Sequence, residues 1–148
     1  MNYSLAFVAL VSAFLASTQL GFADDEPTVE DAHQFLATVF NAGGVRDNHP
    51  SPAVRVLSYE GRRCISRVEV NRDEGVEQLS FDWSVITSAN ELAGSIFIHG
   101  AVAWTMPDGR QGVMQQRQFL FADQVTSRRV SKAVSLLIRR CAPNSKFD

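Results

Sequence analysis

The segment Leu79-Ser80-Phe81-Asp82-Trp83 alternates apolar and polar side chains without a break. Successive residues of a strand point to opposite faces, so this period of two marks a strand with one buried face and one wet face. Its neighbours repeat the pattern. Upstream, Val54 to Tyr59 and Cys64 to Val70 are rich in β-branched residues and are separated by Glu60-Gly61, a hairpin signal. In the second of these runs Cys64, Ser66, Val68 and Val70 share one face, while Arg67 and Glu69 take the other. Asn71-Arg72-Asp73-Glu74-Gly75 reads as a polar turn. Asp82-Trp83-Ser84 reads as the end of the third strand, with Asp82 accepting backbone hydrogen bonds there. Downstream, Ile96 to Trp104 forms the longest β-like run, Pro107-Asp108-Gly109 forms a turn, and Val113 to Phe121 forms a fifth strand.

On either side of these strands the period changes to that of a helix. Thr28-Val29-Glu30-Asp31 has the spacing of a capping box, and Val29, Ala32, Phe35, Leu36, Val39 and Phe40 follow as one apolar stripe. Gly43-Gly44 ends this helix, and Asn48-His49-Pro50-Ser51-Pro52 breaks the chain before the first strand. From about Val125, a second stripe of Val130, Ala133, Val134, Leu137, Ile138 and Cys141 runs until Ala142-Pro143 stops it. The short connections between strands imply antiparallel neighbours. The expected fold is α+β: a curved antiparallel sheet of about five strands in meander order, flanked by an N-terminal and a C-terminal helix.

The chain has 148 residues, a formal net charge of −2 and 45% hydrophobic residues, which argues against a disordered chain, a coiled coil or a collagen-like repeat. Residues 1–23 contain no Lys, Arg, Asp or Glu. Leu5 to Ala16 has the length of a secretory apolar core, Gly21-Phe22-Ala23 offers small residues before a cut, and Asp24-Asp25-Glu26 suits a new N-terminus. Met1-Asn2-Tyr3-Ser4 departs from the pattern in lacking a basic side chain. The expectation is a cleaved signal peptide over 1–23, one small domain over 24–148, and an exported protein, periplasmic or secreted, with no transmembrane span after cleavage. The bias to Arg over Lys, with Lys132 and Lys146 the two lysines, suggests a bacterial source and favours the periplasm. In an exported chain the two cysteines, Cys64 and Cys141, are expected to form a disulfide that pins the last helix to the sheet.

Catalytic and cofactor motifs are scarce. The chain carries no nucleophile elbow and no Gly-rich phosphate loop, so no cofactor is expected. His33, His49 and His99 lack ligand spacing with the distant cysteines, so no metal is expected either. His33 reads as a rim residue beside the first helical stripe, and His99 as a surface-facing strand residue. Net charge, a pI near 5.9 and export disfavour nucleic acid. The last helix stands out. It holds Arg128, Arg129, Lys132, Arg139 and Arg140 and no acidic residue between Val125 and Cys141. Arg128 and Arg129 sit in its first turn, where positive charge opposes the helix dipole by tenths of a kcal/mol.

The leading expectation is therefore a non-enzymatic binding module for a protein or an anionic surface, acting through Arg128, Arg129 and Lys132. A second is a carrier that holds a small apolar molecule between the curved sheet and the helices, with Trp83, Trp104, Phe119 and Phe121 lining the pocket. A third is an enzyme using His99 as a base oriented by Asp82.

Overall fold

The computed structural model of the protein describes residues 26–143. The expected signal peptide, residues 1–23, lies outside them. In chain order the elements are α1 (Val29–Asn41), β1 (Arg46–Asp47), β2 (Val54–Arg62), β3 (Ile65–Arg72), β4 (Gly75–Leu92), β5 (Ser95–Thr105), β6 (Gln111–Leu120) and α2 (Gln124–Cys141). All strand pairs are antiparallel and follow sequence order, with two flanking helices as the sequence predicts. The expected open sheet of about five strands is corrected in one respect. A sixth strand, β1, pairs with both β2 and β6, and the sheet closes into a barrel.

Closure needs strong local bending, and register shifts supply it. They fall between Val56 and Ser58 on β2, around Phe81 to Ser88 on β4, and between His99 and Val102 on β5. Asp82 sits at the largest of them. Its Oδ1 accepts from the Ser84 backbone N–H at 3.0 Å and from Ser84 Oγ at 2.6 Å. The expected local bond is present, but it shapes a bulge rather than a strand end, because β4 runs on to Leu92. Opposite, Ile86 pairs with Gly100, which has φ +131°. A Cβ at Gly100 would lie 2.8 Å from the Ile86 Cα, so a residue without one is what lets the two backbones cross so closely.

Both helices pack at one end of the barrel. Thr28 caps α1 in a complete capping box with Asp31, and Asp123 caps α2 by accepting from the Thr126 backbone N–H. The apolar stripes of the helices, including Leu36, Phe40, Val130, Val134 and Leu137, close over Tyr59, Phe81, Trp83, Ile96, Ile98 and Phe119. Phe81 stacks on Trp83 with ring centroids 5.5 Å apart, and Phe40 meets Phe119 edge-on at 5.4 Å. The space left among these side chains is about 10 Å³, no more than a water molecule. The expected ligand space between sheet and helices is thus filled by the chain's own aromatic rings.

Cys64 and Cys141 form the expected disulfide, with Cα atoms 5.7 Å apart. Cys64 lies in the turn between β2 and β3 rather than on a strand face, and Cys141 is the last residue of α2. The bridge therefore ties the end of α2 to the β2–β3 hairpin. No helix among the described residues is long and apolar enough to cross a membrane.

Candidate functional site

The end of the barrel away from the helices is built differently. Three inward faces that are apolar in the middle of the barrel end here in charge: Arg72 follows Val68 and Val70 on β3, Glu77 precedes Leu79 and Phe81 on β4, and Arg117 precedes Phe119 on β6. Asp47 of β1 joins them, and Asp47 and Arg117 are completely buried. Arg72 donates from Nε to Glu77 Oε2 at 2.8 Å and from Nη2 to Asp47 Oδ2 and to the His49 carbonyl. Arg117 Nη2 donates to Glu77 Oε2 at 2.8 Å and lies 3.3 Å from Asp47 Oδ2. Two carboxylate oxygens thus each bridge the same two guanidiniums, and the four formal charges sum to zero.

Neutrality is what allows such a layer inside a barrel, since an unmatched buried ion costs several kcal/mol. Burial still leaves its mark. It pushes the Asp47 carboxyl up to about 6, against the opposing pull of Arg117 and Arg72. It also lowers Arg117 from the usual guanidinium range, against Asp47 and Glu77. Arg117 Nη1 leans on Met114 Sδ at 2.8 Å, while its Nε is buried without a hydrogen-bond partner.

Above this layer an open cleft of about 370 Å³ is walled by Trp104, Met106, Met114 and Val54, with Pro50 and Pro52 on one side and Arg72 and Glu77 at the floor. Trp104 belongs here and not with the other expected pocket residues. Its indole lies flat over Gly112, its cross-strand partner, close enough that a Cβ there would come within 2.9 Å of the ring. Trp83 and Phe119 are instead core residues at the helix end, and Phe121 packs edge-on against Phe40 at 5.8 Å. The four aromatics therefore do not share one pocket.

The basic residues of α2 lie on its solvent side. Arg128, Arg129, Lys132 and Arg139 are exposed, and among the described residues none of the four forms an ion pair with a carboxylate. Spacings of four and seven residues place Arg128, Lys132 and Arg139 in one row along the helix. The Arg129 guanidinium rests over the Phe35 ring of α1, 5.0 Å from its centroid. Arg140 differs from these, pairing with Glu26 at 2.8 Å. A groove of about 500 Å³ between the helices, floored by Phe35 and Leu136, is edged by Lys132 and Arg139.

His99 and Asp82 are not brought together. His99 pairs across strands with Ser88 and Gln116, and Ser88 lies six positions along β4 from Asp82. A different histidine is the well-connected one. His33 is buried, not on the rim, because Gly61 leaves room for its ring against β2. Its Nε2 faces the Arg63 carbonyl at 2.6 Å, which can only accept, so Nε2 carries the proton and Nδ1 accepts from the Tyr59 hydroxyl at 2.7 Å. Tyr59 in turn accepts from Ser66 Oγ at 2.8 Å, and Ser66 Oγ accepts from Trp83 Nε1 at 2.8 Å. Every donor in this chain is spent, which makes it a pin between α1 and the sheet. Burial also pushes the Tyr59 hydroxyl above the usual phenol range, so it stays protonated as a donor.

Comparison with protein-family models, curated proteins and solved structures returns no match.

Proposed function

We propose that the chain is an exported, non-enzymatic binding module that docks a negatively charged partner surface through the outer face of α2. The observation that carries this is the row Arg128, Lys132 and Arg139, with Arg129 beside it, exposed and without a carboxylate partner among the described residues. On the barrel Arg72, Arg110 and Arg117 are held in ion pairs, while Arg46, Arg55, Arg62, Arg63 and Arg67 are exposed without one among the described residues. What sets α2 apart is the alignment of its cations in one row with no acidic side chain on the helix. A helix with five basic and no acidic side chains repels itself, although Arg128 and Arg129 stand in its second turn, past Gln124–Ser127, and not in the first as the sequence suggests. A pattern disfavoured locally points to a use elsewhere. Export is supported by the charge-free segment 1–23 and by the Cys64–Cys141 bridge.

Each cation near an anionic surface contributes about 1 kcal/mol and is screened by salt. Retention of the exported protein on its native-compartment partners, captured by pull-down, should therefore fall with ionic strength. It should be lost in the triple variant Arg128→Glu/Arg129→Glu/Lys132→Glu. The reading is wrong if charge reversal leaves the captured set and its salt dependence unchanged.

A further inference from the structure

The cleft at the barrel mouth sits at the opposite end from α2 and has a chemistry of its own. Its volume, about 370 Å³, falls in the range of small-ligand sites, roughly 300–1,000 Å³. Its walls are apolar and adaptable: one indole and two methionine side chains, which repack easily around different shapes. Its floor is polar but electrically neutral, because Arg72 and Arg117 are matched by Asp47 and Glu77. At the rim Arg110 is paired with both Glu74 and Asp108, which leaves a net negative charge there. Asp73, in the turn beside them, is exposed to water.

What the floor and wall have left to give is specific. Arg72 spends Nε and Nη2 on Glu77, Asp47 and the His49 carbonyl, and its Nη1 has no acceptor. Glu77 receives both of its hydrogen bonds on Oε2, leaving Oε1 without a donor. Trp104 Nε1 likewise has no acceptor, whereas the other indole, Trp83, is bonded to Ser66. None of these three atoms is sealed from solvent, since Arg117 Nε is the buried side-chain atom left unpaired among the described residues. The cleft therefore presents one donor and one acceptor on a neutral floor, and a second donor in its apolar wall.

We propose that this cleft binds an uncharged ligand with an apolar body and an amide head. The amide oxygen accepts from Arg72 Nη1, the amide N–H donates to Glu77 Oε1, and the body lies against Trp104, Met106 and Met114. At the floor, where the head group sits, an ion of either sign would lose its hydration without meeting net opposite charge. A pure hydrocarbon would cover Arg72 Nη1 and Glu77 Oε1 without satisfying them. An amide does neither. Its source is either a short apolar peptide or a small molecule with one amide group, and the two are told apart by length.

The test is titration of the full exported chain with N-acetyl-leucinamide, followed by the 1H–15N signals of the two indole N–H groups. The Trp104 signal should move saturably while that of Trp83, bonded inside the core, stays in place. N-acetyl-leucine, an anion, and leucinamide, a cation, should bind at least about tenfold more weakly. Trp104→Ala, which removes the apolar wall, should weaken the probe about tenfold by calorimetry, with an unchanged Trp83 signal certifying the fold. Isovaleramide, which has one amide, binding as tightly as N-acetyl-leucinamide, which has two, identifies a single-amide molecule as the ligand, and weaker binding of isovaleramide identifies a peptide. Absence of a saturable Trp104 shift, equal movement of both indoles, or charged analogues that bind as well as the neutral one would each overturn the assignment.

Discussion

Arg72 and Arg117 grip the same two carboxylate oxygens, Asp47 Oδ2 and Glu77 Oε2, although β3 and β6 are not neighbours in the sheet. The four side chains meet across the inside of the barrel, so each strand's position is felt by the others through one shared set of bonds. Removing any one member strands a buried charge.

The first prediction concerns that sharing. Arg117→Met should destabilise the fold by about 3–5 kcal/mol, as expected for breaking a buried ion pair from one side. Arg117→Met combined with Glu77→Leu removes one charge of each sign and should cost clearly less than the two single changes added together. Urea unfolding midpoints of the four proteins measure this, and strict additivity would show that the layer is not coupled.

A second prediction follows from Asp47. Its carboxyl is raised by burial to about 6 in the folded state, above its ordinary value of 3.8. A raised acid contributes most below the unfolded value and loses that contribution as pH climbs through the folded one, here by about 3 kcal/mol. The variant Asp47→Asn cannot ionise. Its stability should therefore gain on the wild type between pH 4 and pH 7. If the wild type gains on the variant instead, the attraction of Arg117 and Arg72 outweighs burial.

The disulfide gives a third. Cys64 and Cys141 are 77 residues apart, and opening such a loop releases at most about 4.5 kcal/mol of chain entropy. Cys64→Ser/Cys141→Ser should lower the thermal midpoint, and reductant should shift the wild type toward the variant while leaving the variant unmoved.

The fourth is steric. A Cβ at Gly61 would fall 2.1 Å from His33 Nδ1, so Gly61→Ala should expel the imidazole and leave the Tyr59 hydroxyl without its acceptor. The cost should be about 1–3 kcal/mol. In a His33→Ala background the same change should cost nearly nothing. A full penalty there would mean that Gly61 serves the backbone and not the ring.

The sequence was legible where one local rule acted alone. Thr28 with Asp31 announced a helix start, and the even cysteine count announced the bridge. The alternation around Phe81 located the sheet, then ceased to inform at Val85-Ile86, where two apolar residues in succession mark the bulge that lets β4 continue. Phe81 and Trp83 are buried at odd positions and Ile86 at an even one, so the inward face changes parity across the register shift between Phe81 and Ile86. A strand of two residues such as β1 has no period to read. Arg72, Glu77 and Arg117 did stand in register with apolar faces, but charge on a strand is read as outward unless its partners are known. Those partners lie on four strands, and no local window contains them. His33 was misread for the same reason, its explanation being an absent side chain at Gly61 on another element.

The short strand Arg46–Asp47, extended by backbone bonds from Val56 N–H to the Val45 carbonyl and from Asn48 N–H to the Gln118 carbonyl, joins β2 to β6. Each of those long strands would otherwise display a row of free peptide groups to the solvent, which is the template on which strands of separate molecules assemble. Because Asp47 is also a corner of the buried ionic layer, the seam and the charges open together. Loss of one carboxylate would thus uncover two unpaired edges at once, each a template for the strand of another molecule.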